Sequence, residues 1–149
     1  MVEEGSPAPD FEAINHLGGK VRLSDYKGRI IVLYFYPKAM TPGCTREGIR
    51  FNELYEEFSK RGAVILGVSM DSPEVNKKFA EKHGFRFTLL SDGNGDIARA
   101  YGVLKGPSVE RVTFIIDQEG VIAKVLKRIY PAERHADEAL KAVKEMTGK

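Results

Sequence analysis

The sequence predicts an α/β protein with a central mixed β-sheet, flanked by helices and preceded by an N-terminal β-hairpin. Three runs, at residues 29–36, 63–70 and 111–117, are largely apolar on both faces, as the strands of a covered sheet are. Helix-periodic segments lie between and after these runs, and a hairpin and a closing helix end the chain. This order combines a parallel half with an antiparallel half of one sheet.

The N-terminal segment is predicted to be extended and then to form the small hairpin. Pro7 and Pro9 disfavour helix in the residues that precede them. Residues 11–14 and 20–23 flank the turn-forming run Asn-His-Leu-Gly-Gly, which is typical of a hairpin. A short turn at residues 24–28 then leads into the first central strand.

Two helices are predicted in the middle of the chain. The first spans residues 45–61, ends at Gly62 and carries apolar residues at helical spacing, namely Ile49, Phe51, Leu54, Tyr55 and Phe58. The second spans residues 74–83 and ends at Gly84, with Ser72 as its N-cap and Pro73 in its first turn. Its inward-facing residues are expected to be Val75, Phe79 and Ala80.

The C-terminal half is predicted to hold shorter elements. Residues 87–90 are extended and residues 95–101 form a short helix. A turn at residues 118–120 joins the third apolar strand to a hairpin partner at residues 121–128. The last helix spans residues 131–147 and its apolar stripe consists of Ala136, Leu140, Val143 and Met146.

Composition narrows the class of protein. A length of 149 residues fits a single domain that covers residues 1–149. A net charge of +2 with interspersed signs gives no field that would favour nucleic acid or a membrane surface as a partner. No run reaches the length of a membrane span, and the acidic N-terminus lacks the features of a signal peptide. With one cysteine no intramolecular disulfide can form, so we expect a reducing, cytoplasmic location.

The single cysteine, Cys44, follows a strand and begins a helix. The free N–H groups and the dipole at a helix N-terminus favour an anion such as a thiolate, which is the nucleophilic form. The alternative is a buried cysteine that acts as a small hydrophobic residue. The neighbouring threonine, proline and glycine are loop and cap residues, and they favour the reactive interpretation.

The residues before Cys44 predict a small cup of hydrogen-bond donors. With Thr41 as N-cap and Pro42 as the first helical residue, the Thr41 hydroxyl would point at the first-turn N–H groups. It could then donate to the thiolate or to a substrate oxygen. Gly43 would let the backbone approach a ligand closely. Thr41 also stands where a C-x-x-C motif has its first cysteine, so a dithiol is excluded and one thiolate remains.

Residues 36–47, Tyr-Pro-Lys-Ala-Met-Thr-Pro-Gly-Cys-Thr-Arg-Glu, contain the pattern P-x-x-x-T-x-x-C and resemble the active-site segment of peroxiredoxins. The closer resemblance is to the bacterioferritin-comigratory protein, or peroxiredoxin Q, subfamily. Residues 67–72, 87–92 and 111–117 resemble further segments of that family. The resemblance implies a thioredoxin-like fold and a thiol-dependent peroxidase that reduces hydrogen peroxide and organic hydroperoxides without a cofactor or metal.

The resemblance also implies a role for each matching residue. Cys44 would be the peroxidatic cysteine that becomes a sulfenic acid. Thr41 would hydrogen-bond the peroxide and Pro37 would shield the site. Arg111 would stabilise the thiolate and hold the substrate oxygens, and Glu47 would orient Arg111. Without the motif, an arginine at the start of a strand would be interpreted as a surface ion-pair partner.

The chain departs from the subfamily pattern at two positions. Many members carry a resolving cysteine where this chain has Ile49, and the usual aspartate before Met40 is Ala39. We therefore expect a one-cysteine mechanism, with reduction by thioredoxin, glutaredoxin or a small thiol, or pairing with Cys44 of a second chain. The expected state is a monomer or a weak homodimer.

Two other functions on the same fold are retained as alternatives, a thiol-based redox sensor and a chaperone-like holdase. A metal site is not expected. The three histidines, His16, His83 and His135, lack metal-ligand spacing and are predicted to be surface or capping residues. The run at residues 92–96 only superficially resembles a calcium loop and is predicted to be a plain turn.

Overall fold

The computed structural model describes residues 1–148. The helices are α1 Pro42–Glu53, α2 Tyr55–Lys60, α3 Pro73–His83, α4 Asp96–Tyr101 and α5 Arg134–Thr147, with a 3-10 helix at Leu23–Tyr26. The strands are β1 Glu12–Asn15, β2 Lys20–Arg22, β3 Ile30–Phe35, β4 Ala63–Ser69, β5 Thr88–Ser91, β6 Leu104–Lys105, β7 Ser108–Val109, β8 Val112–Ile116 and β9 Ile122–Lys127. The expected α/β class and the N-terminal hairpin are confirmed.

Seven strands form one mixed sheet in the order β2-β1-β5-β4-β3-β8-β9. Strands β3, β4 and β5 are parallel, whereas β1, β2, β8 and β9 pair antiparallel with their neighbours. Strand β3 is central, and Val32 pairs with Ile65 of β4 on one side and with Ile115 of β8 on the other. The carboxyl end of β3 leads directly to the loop before α1, where Cys44 lies.

Both faces of the sheet are covered, which explains why β3 is apolar throughout. All six residues of β3 are buried. Tyr34 and its neighbours on one face pack against buried residues of α1, α2, α3 and α5. Leu33 and its neighbours on the other face pack against α4 and the apolar side chains of the N-terminal hairpin. Side chains that alternate along a strand point to opposite faces, so one apolar run supplies both cores.

The predicted helix at residues 45–61 is two helices. Leu54 has φ −92° and ψ 4°, outside the helical region, and it separates α1 from α2. The apolar spacing continues across this break because residues on either side still face the same core. Ile49 and Val75 are each 38% exposed, so the expectation that Val75 packs inward is wrong and Ile49 lies at the surface of α1.

Other element boundaries differ only at their ends. Helix α5 begins at Arg134 rather than at residue 131, after backbone turns in which Arg134 N–H donates to the carbonyl of Pro131. The two-residue strands β6 and β7 were not predicted, because such short strands show no periodicity. Within residues 1–148, no helix has both the length and the apolar character that crossing a bilayer requires.

Candidate active site

Cys44 is the third residue of α1 and its side chain is buried, with 1% of its surface exposed. The first helical hydrogen bond runs from Thr45 N–H to the carbonyl of Thr41, at 2.9 Å. The N–H groups of Gly43 and Cys44 precede that bond, so they belong to the free donors of the helix N-terminus. These donors and the helix dipole favour negative charge beside the Cys44 sulfur.

Thr41 occupies the N-cap position as predicted, but its side chain does not cap the helix. The Thr41 hydroxyl donates to the carbonyl of Lys38 at 2.6 Å instead. The expectation that this hydroxyl points at the first-turn N–H groups is therefore wrong. Because its proton is committed to Lys38, the hydroxyl oxygen of Thr41 can act only as a hydrogen-bond acceptor toward other groups.

Arg111, the residue before β8, reaches across to α1. Its Nη2 atom lies 3.5 Å from the sulfur of Cys44. The close approach depends on Gly43, since a Cβ atom at that position would lie 3.1 Å from Nη2 of Arg111. A fixed cation at this distance stabilises a thiolate over a thiol.

Glu47 lies one turn after Cys44 and is completely buried, with 0% of its surface exposed. Its Oε1 atom accepts a hydrogen bond from Nη1 of Arg111 at 2.5 Å, whereas its Oε2 atom has no partner among the described residues. Burial raises the pKa of Glu47 to about 8, against the opposing effect of Arg111. Burial lowers the pKa of Arg111, but Glu47 and Cys44 outweigh it and the net shift is upward.

The structure thus brings Cys44, Glu47 and Arg111 into contact, and it places Thr41 and Pro37 in the loop that precedes them. Pro37 follows β3 and is half-buried. Two residues near the site were not assigned by sequence reasoning. Asp71 accepts a hydrogen bond from the active-site loop, and the Asp-Ser-Pro run after β4 was its only sequence signal. The other is His135, which carries no such signal.

The prediction that all three histidines are surface or capping residues is wrong for His135. It is 1% exposed, and its Nδ1 atom lies 2.9 Å from Oγ1 of Thr113 on β8. Burial, followed by the positive charge of Arg111, lowers the pKa of His135 to about 4. His135 is therefore a buried, neutral partner of Thr113, and the amphipathic pattern of α5 does not reveal this.

The predicted turn at residues 92–96 is confirmed. Asp92 is buried, and its two carboxylate oxygens accept hydrogen bonds from the N–H groups of Ile97 and Ala98, at 3.0 Å and 2.9 Å. This aspartate anchors the start of α4 and is not left free for a cation. Across residues 1–148, no group of three or more acidic, histidine or cysteine residues could hold a metal ion.

The comparisons with known proteins agree with this geometry. The AhpC/TSA family model matches residues 5–125. The chain belongs to the AhpC/TSA family. It is 45% identical to peroxiredoxin Bcp of Bacillus subtilis (strain 168), over 99% of both chains. It is 40% identical to chloroplastic peroxiredoxin Q of Sedum lineare, over 97% of this chain and 80% of the relative.

Solved structures of the same family superimpose on nearly the whole chain. Peroxidoxin BcpB of Mycobacterium tuberculosis is 37% identical with a TM-score of 0.92, over 98% of this chain and 99% of that one. The bacterioferritin comigratory protein of Xanthomonas campestris, studied for alkyl peroxide reduction, is 37% identical with a TM-score of 0.90, over 97% and 99%. These similarities confirm a peroxiredoxin with a thioredoxin-like fold, and hence a thiol-dependent peroxidase.

Proposed function

We propose that Cys44 is the peroxidatic cysteine of a one-cysteine cycle. Its thiolate attacks the terminal oxygen of hydrogen peroxide or of an organic hydroperoxide. A sulfur–oxygen bond forms, the oxygen–oxygen bond breaks, and water or an alcohol leaves after it takes up a proton. Sulfur is oxidised to the sulfenic acid and the peroxide is reduced. The observation that carries this proposal is the contact of Arg111 with both Cys44 and Glu47.

The neighbouring residues divide the work of this step. Arg111 and the first-turn N–H groups face the negative charge that shifts from sulfur to the leaving oxygen, and preorganised donors of this kind lower the barrier. The Thr41 oxygen accepts the peroxide O–H, since its own proton is held by Lys38. Glu47 holds the Arg111 guanidinium in place. Pro37 shields the sulfur from bulk water.

The second half of the cycle uses an outside thiol, because Cys44 is the only cysteine in the chain. That thiol attacks the sulfenic sulfur, water leaves, and a mixed disulfide forms. A second thiol then releases Cys44 and carries away the disulfide. Thioredoxin, glutaredoxin and small thiols fit this role, and all are found in a reducing cytoplasm. A monomer or weak homodimer suffices for such a cycle.

The alternatives on this fold are a redox sensor and a holdase. A holdase has no use for a buried cysteine that contacts an arginine, itself held by a buried glutamate. A sensor would need the same oxidation step, and it would differ by slow turnover with general thiols. The geometry therefore disfavours the holdase, and the rate of turnover with general thiols distinguishes the peroxidase from a sensor.

The test is intact-mass measurement after one equivalent of hydrogen peroxide, with and without excess thiol. We expect the rapid gain of one oxygen on Cys44, reversed by thiol, and no gain in Cys44→Ser. A covalent dimer would instead assign the resolving role to a second chain. Peroxide turnover retained in Cys44→Ser would contradict the proposal.

A further inference from the structure

The loop between β3 and α1 carries Pro37 and Thr41, and its shape is not favoured by its own sequence. Met40, directly before Thr41, has φ 69°, in the left-handed region that residues other than glycine rarely adopt. Such a conformation persists only where surrounding contacts hold it. The position of Thr41 relative to Cys44 therefore depends on what fixes this loop from outside.

Asp71 supplies such a contact. The backbone N–H of Ala39 donates to Oδ2 of Asp71 at 2.8 Å. Asp71 lies just beyond the carboxyl end of β4, the parallel neighbour of β3, so both chain segments leave the sheet at the same edge. A hydrogen bond from a neutral N–H to a carboxylate is stronger than one between neutral groups. Ala39 is itself 4% exposed, so the donor side of this bond is shielded from water.

A buried polar network holds Asp71 in turn. Its N–H donates to Oγ of Ser69 at 3.3 Å. Ser69 lies within hydrogen-bond distance of Asn76, a completely buried residue of α3. Asn76 accepts the hydroxyl of Tyr36 at 2.6 Å and donates to Ser91 at 3.1 Å. Tyr36 is the last residue before the loop, so the network connects both sides of the Ala39 contact.

We propose that Asp71 is a positioning residue for the peroxide-binding loop. Asp71 fixes the N–H of Ala39. This N–H belongs to the same peptide group as the Lys38 carbonyl, which accepts the hydrogen bond from the Thr41 hydroxyl. The Thr41 oxygen is thereby held where it can accept the peroxide O–H. Asp71 touches no reacting atom and acts through the loop alone. This inference rests on the proposed peroxidase cycle of Cys44.

The test compares two reactions of the same sulfur in Asp71→Ser and Asp71→Asn. Oxidation of Cys44 by hydrogen peroxide needs Thr41, whereas alkylation by iodoacetamide does not. In Asp71→Ser the shorter side chain cannot reach Ala39, and we expect the second-order rate of oxidation to fall by about tenfold or more. The alkylation rate should stay unchanged. Asp71→Asn keeps an acceptor oxygen and should restore most of the oxidation rate.

Asp117 offers a matched control. It also caps a turn, with its Oδ1 atom accepting N–H groups of Glu119 and Val121, but it lies at the other end of β8 from Arg111. Asp117→Ser should lower thermal stability and leave the ratio of oxidation to alkylation as it is in the wild type. Amide hydrogen exchange at Ala39 gives a second measurement, and exchange should be faster in Asp71→Ser than in the wild type.

The outcomes distinguish a failure of the proposed peroxidase cycle from a failure of the role of Asp71. If the wild type does not react with peroxide, the proposed function fails. If the wild type reacts, but Asp71→Ser has the wild-type ratio of rates or unchanged exchange at Ala39, the role of Asp71 is overturned. The role is also overturned if Asp71→Ser and Asp117→Ser change the ratio equally.

Discussion

Arg111 is the residue on which the site converges, because a single guanidinium contacts the sulfur of Cys44 and the carboxyl group of Glu47 through different nitrogen atoms. The planar fork of arginine suits this double contact, and the point charge of lysine does not. The guanidinium is partly buried, with 22% of its side chain exposed. Its charge is therefore screened less than that of a surface arginine.

Replacement of Arg111 by leucine should slow the reactions of Cys44 as a nucleophile, because the cation beside the sulfur is lost. We expect slower alkylation by iodoacetamide and a fall of about hundredfold in the rate of oxidation by peroxide. The rates of Arg111→Lys should lie between those of the wild type and Arg111→Leu, since lysine keeps the positive charge but lacks the planar fork of arginine. Arg22→Leu, which removes an exposed ion pair with Glu12, is the control. An alkylation rate unaltered in Arg111→Leu would count against its role.

The lowered pKa of His135 predicts how the stability of the protein depends on pH. Its pKa is about 4 in the folded protein and near its ordinary 6.5 in the unfolded chain. Between these values the unfolded chain binds more protons, so the free energy of unfolding falls as pH decreases from 6.5 to 4. The full effect is about 3 kcal/mol, because one pKa unit corresponds to about 1.4 kcal/mol.

Glu47 acts in the opposite direction. Its raised pKa of about 8, against an ordinary 4.5, makes the folded state bind more protons between these values, so its contribution to stability falls as pH rises.

Urea titrations of the wild type and His135→Asn at several pH values isolate the histidine, since the variant keeps a polar partner for Thr113. We expect the difference between the two proteins to change across pH 4 to 6.5. A constant difference would show that His135 titrates normally.

At the scale of elements, helix α1 is set against the core by a residue with no side chain. Gly48 is buried, and a Cβ atom there would lie 2.4 Å from Cζ of Phe85. Phe85 is itself held between Phe79 and Phe87, with ring centroids 5.1 Å and 5.0 Å away. The glycine therefore sets how closely the helix that carries Cys44 approaches the core.

Gly48→Ala should destabilise the protein, although alanine is the better helix former by about 1 kcal/mol. Overpacking against Phe85 opposes that gain, since inserting a methyl group into a filled core costs about 1–3 kcal/mol. Thermal unfolding should therefore occur at a lower temperature. In a Phe85→Leu background the same substitution should be tolerated, because space has been made for the methyl group. Equal effects in both backgrounds would refute the contact.

The elements also show where sequence reasoning succeeds and where it stops. The long apolar run of β3 and the glycine after α3 have strong local signals, and both were predicted. The break at Leu54 was missed because apolar periodicity survives a local change of dihedral angles. The Thr41 hydroxyl was placed wrongly because its partner, the Lys38 carbonyl, is available only in one shape of the loop. The burial of His135 depends on packing between distant segments, and no local pattern reports such packing.

At the scale of the whole molecule, one sheet joins every part of the site. The thiol comes from the helix after β3, the arginine from the start of β8, and the loop contact from the end of β4. The family resemblance predicted Cys44, Glu47 and Arg111 as a group, but their contacts required the strand order. We infer that residues 1–149 form a single domain, since β5, from the second half of the chain, lies in the sheet between β1 and β4, from the first half.

A single domain of this kind should unfold in one cooperative transition. Far-ultraviolet circular dichroism reports the sheet and helices, and the tyrosine signal in the near ultraviolet reports the packed cores around Tyr34 and Tyr101. We expect the two urea midpoints to coincide. Exposure of Cys44 to a thiol reagent should follow the same curve. Separate midpoints for the two signals would argue for two independently folding units.

The separation of Cys44 and Arg111 along the chain, 67 residues, has a consequence for protein synthesis. While a ribosome still holds the stretch after residue 110 in its exit tunnel, the nascent polypeptide carries Cys44 without its cation. At that stage the thiol of Cys44 lacks the Arg111 contact that the folded protein provides. We therefore expect Cys44 to gain its reactivity toward peroxide only once β8 has paired with β3.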